Sequence, residues 1–320
     1  MLKRATWIVA AGALLAATGA QAQDKVGTAG AQFLKVGVSA RCVGMGDASA
    51  AVADDASALY YNPAAITALE GGEVLVSHID LYRGAGIGYE FVGAVLPGYV
   101  AGGRVGISFQ ALHTDDIEET TTMAPEGTGR NFRVSEYALA GTYALDLTDK
   151  FSAGFSLRLI SSYLAKLESL GNESAVDGSG ATWGIDIGTI YRTGFRGLNF
   201  GMAISNFGPD LKYLIEPTPL PINFKVGLAM DAYRTDGQAV VVAVEGSHPN
   251  DNAERANLGA EYTYGDMFAL RGGFRLNYDD ELWSAGGGLR LSGGSIRIDY
   301  AYTALDVLPD VHRYTVAFRF

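Results

Sequence analysis

From Glu73 to Phe320 apolar side chains recur at every second position. In SIRIDYAY (295–302), Ile296, Ile298, Tyr300 and Tyr302 share one face while Arg297, Asp299 and Ala301 take the other. In DMFALRGGFRL (266–276), Phe268, Leu270, Phe274 and Leu276 oppose Arg271 and Arg275. A period of two suits an extended chain with one apolar face and cannot form the stripe of a helix. About fourteen such segments follow one another: 73–80, 85–97, 101–113, 131–146, 150–163, 181–193 and 197–207, then 219–232, 237–248, 253–264, 266–276, 281–293, 294–303 and 312–320. Most are near the 9–11 residues that a tilted membrane-spanning strand requires. Their connections alternate too. GYV (98–100), TDK (148–150), GFR (194–196), RTDG (234–237), YGD (264–266) and SGG (292–294) are short. Residues 114–130, 164–180, 208–218, 249–252, 277–280 and 304–311 are generally longer. Short turns at one end and long loops at the other are the pattern of an outer-membrane barrel. The competing fold, a secreted β-sandwich with charged outer faces, has no reason to lengthen every second turn. The expected class is therefore all-β: a transmembrane antiparallel β-barrel of about 14 strands.

The start of the chain agrees with that destination. Residues 1–22 combine Lys3 and Arg4, an apolar stretch over 5–17 and Ala20-Gln21-Ala22, which reads as a secretory signal. Without Lys3 and Arg4 the net charge of −11 becomes −13, which argues against a nucleic-acid partner. Past that signal no apolar run approaches 18 residues, so no helical span is expected, yet the mean hydropathy is +0.11. Hydrophobicity spread at period two reconciles the two facts. The lone Cys42 reads as a small buried apolar side chain.

The row opposite the apolar one is charged. It holds Glu245, Glu261, Arg271, Arg275, Arg290, Arg297 and Asp299 in the second half of the chain, and Glu90, Arg104, Arg158 and Asp186 earlier. With the apolar row on lipid, these line the interior, where neighbours of opposite sign such as Glu261 and Arg271 can pair. Arginines outnumber acids over the last four strands, so a lining that guides an anionic group is the functional alternative. Fourteen strands enclose more space than side chains fill, since about eight is the size they can pack. Residues 23–72 are the sizeable segment available as a hatch, leaving 73–320 as the barrel. Within 23–72, Asp55 is placed to cap a short helix over 56–61. Asn62 is placed to cap a second helix with Pro63 at its first position, and Gly71-Gly72 to end it. Small residues on the inward row, among them Gly106, Ala138, Gly201 and Gly286, leave room for such a hatch.

The stretch AGAQFLKVGVSARCVGMGDASAAVADDASALYYNPAAI (29–66) resembles the N-terminal signature of the PorV/PorQ family, part of the FadL-like superfamily of outer-membrane barrels. Asp55, Ser57, Asn62, Pro63 and Ala64 match its hatch motif, whereas the family more often has Gly where this chain has Ala65 or Asp47. The resemblance implies a fourteen-stranded barrel with an N-terminal hatch, in an outer membrane. It also implies one of two non-enzymatic roles. One is an accessory of type IX protein secretion, with exported cargo or a translocon subunit as partner. The other is a FadL-like channel holding a hydrophobic ligand in its lumen.

The residues themselves indicate no catalytic centre, cofactor or metal. Gly44-Met45-Gly46 opens no βαβ unit, His78, His113, His248 and His312 have no ligand spacing, and no Gly-x-Ser-x-Gly element occurs. The 208–221 loop carries Pro209, Pro217, Pro219 and Pro221 around Tyr213, Leu214 and Ile215. A stiff apolar tip of that kind is expected to dock a protein partner.

Overall fold

The computed structural model describes residues 26–120, 122–167, 176–213 and 216–320. The expected signal over 1–22, Leu214 and Ile215 lie outside the described residues. Fourteen strands form the wall. The first seven are β1 (Glu73–Leu81), β2 (Ile87–Val95), β3 (Arg104–Thr114), β4 (Ser135–Thr148), β5 (Phe151–Leu167), β6 (Val176–Arg192) and β7 (Asn199–Phe207). The rest are β8 (Asn223–Thr235), β9 (Gln238–Pro249), β10 (Arg255–Tyr264), β11 (Phe268–Leu276), β12 (Glu281–Leu291), β13 (Ile296–Leu305) and β14 (Val311–Arg319). Each pairs antiparallel with its sequence neighbours, and β1 pairs with β14 from Glu73↔Arg319 to Asp80↔His312, closing the barrel. Phe320 lengthens the seam by exchanging backbone hydrogen bonds of 2.8 and 2.9 Å with Gly72. Closure leaves no unpaired edge, the requirement for a sheet in lipid.

The alternation resolves as lipid outside and lumen inside. On β11, Leu270 and Phe274 are 67% and 62% exposed, while Arg271 and Arg275 between them are 5% exposed. On β5, Phe155, Leu157 and Leu159 face out, and Ser156 and Arg158 face in. Three expectations need correction. β5 and β6 run past the expected loop limits, to Leu167 and from Val176. Residues 131–132 belong to a separate two-stranded ribbon with Ile117–Glu118, and β4 starts at Ser135. Glu90 faces out, because β2 turns Tyr89 and Phe91 inward. Alternation says which residues share a face and not which face is inner. Here the apolar row is needed inside, where it packs with Leu75, Ile79 and the N-terminal segment.

The outer face of β1–β2 is consequently mixed. Val74, Val76, Val92 and Ala94 cover its half nearer the short turns, and His78, Asp80 and Glu90 occupy the half nearer the long loops. His78 Nδ1 lies 2.7 Å from Glu90 Oε1, and His113 Nε2 lies 3.7 Å from the same oxygen. Across the barrel, β8 presents Phe224, Val226, Leu228 and Met230 over the corresponding height.

Residues 29–69 pass through the lumen as short turns. They form 3₁₀ turns at Gln32–Lys35 and Pro63–Ala68, helix α1 (Ala40–Gly44) and helix α2 (Ala58–Tyr61). Helix α1 packs on β11–β14, and the Pro63–Ala68 turn on β3–β6, so the segment bridges opposite walls. Phe33, Leu34, Leu59, Ile66 and Leu69 share one apolar core with Leu75, Ile79, Tyr89 and Phe91. The lumen thus has an apolar side and a charged side.

Candidate functional site

The seat of this plug begins with the missing Cβ atoms of the wall. A Cβ added at Gly259 would lie 2.1 Å from Met45 O, and at Gly273 it would lie 2.0 Å from Gly46 N. At Gly201 it would lie 2.0 Å from Ala50 O. Plug backbone therefore rests directly on wall backbone, the close approach that only glycine permits. Gly46 and Asp47 turn the chain here in left-handed conformations, φ 67° and 64°. Asp47 stands where the resembled motif more often has Gly, and its backbone has the conformation a glycine would adopt.

The plug then satisfies its polar groups against the wall. Glu245 accepts from Ser49 N at 2.9 Å and Ala50 N at 2.7 Å, and lies 3.5 Å from Lys225. Ser284 Oγ donates to Val43 O at 2.6 Å, Ala40 N donates to Thr315 Oγ1 at 3.0 Å, and Arg313 Nε donates to Gly37 O at 3.1 Å. Asn62 works in both directions. Its Oδ1 accepts from Ala64 N at 3.2 Å, capping the turn that Pro63 opens, while Nδ2 donates to Ala50 O at 2.8 Å and Thr189 O at 3.1 Å. Asp55 does not cap the helix as expected but closes a turn ahead of it. Its Oδ1 accepts from Ser57 N at 2.9 Å and from Ser57 Oγ, and α2 starts only at Ala58 instead of at residue 56.

Seven of the charges form one alternating chain. Arg41 bonds Asp54 and reaches Glu261 at 3.1 Å; Glu261 accepts from Arg271 at 2.6 Å, and Arg271 donates to Asp299 at 2.7 Å. Asp299 accepts from Arg297 at 2.7 Å, and Arg297 donates to Asp55 Oδ2 at 2.5 Å. The chain starts at Asp54, leaves the plug at Arg41, touches β10, β11 and β13, and returns at Asp55, the residue after its start. Arg275 pairs with Glu281, away from this chain. Arg290 lies opposite Arg297 in the ladder and has no ion pair among the described residues. The sequence reading missed Arg41 and Asp54. The signal was present: an arginine within the small-residue stretch Ser39–Gly46, if that stretch is buried, requires a carboxylate partner.

Burial alone would raise the pKa of Asp55, but the guanidinium groups of Arg297 and Arg41 and the Ser57 donors outweigh it and bring it down to about 2. The sign follows from linkage. A carboxyl depressed in the folded state stabilises above its unfolded pKa of about 3.9, and that contribution disappears as pH falls through the folded value. Plug protection against protease should hold at pH 5 and fall between about pH 4 and 2, and Asp55→Asn should flatten that part of the profile. An unchanged profile in Asp55→Asn would remove Asp55 from the account. Burial pushes the Cys42 thiol up, consistent with an inert side chain 3.9 Å from Ser57 Oγ.

Two cavities flank the plug and share no lining residue. One of about 920 Å³ opens at the short-turn end beside Asp54, Glu73, Arg290 and Arg297. The other, of about 470 Å³, opens at the long-loop end beside Lys35, Asp47, Arg255 and Arg275. The 208–222 loop folds back over that second end. Leu211 and Leu220 are buried, Gly30 N donates to Pro219 O at 2.9 Å, and the half-buried Tyr213 donates through its hydroxyl to Ser162 Oγ at 3.2 Å.

The family described as type IX secretion system protein PorV matches residues 19–248. No curated relative matches the sequence. Among solved structures, the chain is similar to the Pseudomonas putida toluene transporter TodX, with TM-score 0.60 and 14% identity over 88% of this chain and 98% of that one. It is similar to the CymD monoaromatic hydrocarbon channel, with TM-score 0.58 and 17% identity over 89% and 98%. It is also similar to a Pseudomonas aeruginosa FadL homologue, with TM-score 0.54 and 13% identity over 86% and 96%. At these identities the likeness is one of fold.

Proposed function

The chain belongs to the family of type IX secretion system protein PorV, and from that premise we infer that it is a non-enzymatic accessory of protein export, seated in the outer membrane. In this reading residues 1–22 direct export, 23–72 form a hatch that stays in place, and 73–320 form the barrel. Exported cargo or a translocon subunit engages the long-loop end. The observation that carries the reading is the ion chain from Asp54 to Asp55, which ties the hatch to three strands at once. Apart from the exposed Asp54, every link from Arg41 to Asp55 is a buried charge whose partner cannot leave without a large cost, so a hatch held this way suits a scaffold better than a valve. The long-loop end also offers exposed apolar side chains for contact, Met123 and Val307 among them.

The test shortens the 208–222 loop while keeping its inner anchors. Replacing 212–217 by two glycines retains Leu211, Pro219 and Leu220. Loss of a docking anchor worth about 1.4 kcal/mol weakens binding about tenfold. Surface labelling of an exported cargo should therefore fall markedly while barrel abundance is unchanged. Normal export from this variant would overturn the docking role of the loop. Co-purification of a hydrophobic small molecule in place of a protein partner would transfer the assignment to the channel.

A further inference from the structure

The wall is closed where it crosses lipid, but β6 outgrows its neighbour. β7 leaves β6 at the pair Ile185↔Phe207, where Asn206 adopts a left-handed conformation, φ 61°, and its backbone N–H donates to Asp186 Oδ1 at 2.7 Å. The chain then crosses the inner face of β6 instead of lengthening the sheet. Thr182 Oγ1 donates to Pro209 O at 3.1 Å, and a Cβ added at Gly180 would lie 2.7 Å from Lys212 O. Among the described residues, 176–182 of β6 therefore pair with β5 alone. The direction of their backbone groups follows from the far end of the strand. Arg192 N donates to Lys150 O on the β5 side, and Thr193 N donates to Leu198 O on the β7 side. The register with β5 holds without a shift from Tyr191 to Ser179. Even-numbered residues thus bond β5, while Ser179 and Ala181 turn N–H and C=O toward the empty side.

That side stands in water. Tyr191 and Trp183 both face out, and the strand rises about 20 Å between them at about 3.3 Å per residue and a tilt near 40°. Trp183 thus marks the outer boundary of the lipid. Natural edges are guarded by Lys, Pro or a bulge. VDGSGAT (176–182) contains neither Lys nor Pro, and the bulge of this hairpin lies in β5, between Tyr163 and Lys166. Ser179 and Ala181 are small and exposed. We propose that an extended segment of the exported cargo joins β6 here as an added strand, held by main-chain hydrogen bonds to Ser179 and Ala181. The proposal rests on the secretion reading and names the contact through which cargo engages. A second copy does not fit. Two copies in one membrane are related by an axis along its normal, so their β6 edges would cross at about 80°, twice a tilt of about 40°. A free segment can align with the edge.

The experiment adds a purified cargo protein of the same export system to the full chain in detergent and follows hydrogen exchange at single amides. In the chain alone, Ser179 and Ala181 should exchange faster than Gly180 and Thr182, which bond β5. Cargo should slow Ser179 and Ala181 at least about tenfold. Ala181→Pro removes an N–H that β5 does not use, a change an edge strand tolerates, and should weaken cargo binding at least about tenfold. Ala181→Val keeps the N–H and should bind like the parent. Equal cargo binding by parent and proline variant, or bound cargo that leaves Ser179 unprotected, overturns the proposal and leaves the secretion reading intact. No cargo binding to the parent overturns both. Protection in the chain alone that grows with its own concentration assigns the edge to a second copy and overturns the proposal as well.

Discussion

Arg297→Met should unseat the plug without dissolving the barrel. The substitution keeps volume and strand pairing but leaves Asp55 facing the lumen wall with no cation at 2.5 Å, and deprives Asp299 of one of its two arginines. Breaking a buried pair from one side costs about 3–5 kcal/mol, since the surviving charge is left uncompensated. Set against a plug that must be held by many contacts, that loss raises its open population by roughly 10²–10⁴. Two readouts report it. Conductance in planar bilayers should rise from that of a closed barrel to an open one. Trypsin should cut at Arg41, which is buried in the seated plug. Asp55→Asn combined with Arg297→Met should recover much of the loss, because no charge is then orphaned. If Arg297→Met conducts and digests like the parent chain, the ion chain is not what holds the plug.

The second large effect separates two adjacent glycines. Gly273→Leu places a Cβ 2.0 Å from Gly46 N, against plug backbone that has no rotamer with which to yield. Gly272→Leu faces the other way and meets nothing within 4 Å. Overpacking with side-chain relief costs about 1–3 kcal/mol, and contact with a fixed backbone costs more. Gly273→Leu should therefore yield little heat-resistant folded barrel, or a barrel whose plug is protease-sensitive. Gly272→Leu should fold like the parent, with one more apolar group on lipid. Equal folding of the two variants would mean that the plug does not lie against β11.

These glycines show how far the sequence could be read. Gly273 has the parity of Arg271 and Arg275, so its inward direction was legible from alternation alone, as were all fourteen strands to within a few residues. Which wall residues the plug touches was not legible, because contact depends on how a segment without periodicity is threaded. Glu90 failed for a different reason. A charge normally marks the inner row, but between β1 and β2 the inner row meets the apolar side of the plug, and the charge was displaced outward. The Asn62-Pro63-Ala64 cap could be seen because an Asx cap acts locally, whereas Asp55, expected as a cap, instead closes a turn on Ser57 ahead of the helix. Arg41 could not be assigned a role, because its partners Asp54 and Glu261 lie 13 and 220 positions away. The prolines of 208–222 announced a stiff loop but not its direction; Leu211 and Leu220 turn it inward.

The outward displacement of Glu90 bears on the lipid around the barrel. Along β1 only Glu73 to Ser77 backs a water-avoiding exterior, about 12 Å of height at a rise of about 3.3 Å per residue and a tilt near 40°. A full belt is about 25 Å tall. The bilayer beside this wall must pinch, while beside β8 it keeps its normal thickness, so the molecule sits in an asymmetric dimple. Such deformation costs fractions of a kcal/mol per ångström along the perimeter. Two low walls brought side by side share one depression instead of making two. The membrane itself thus supplies a weak, oriented pull toward any neighbour with an equally short flank.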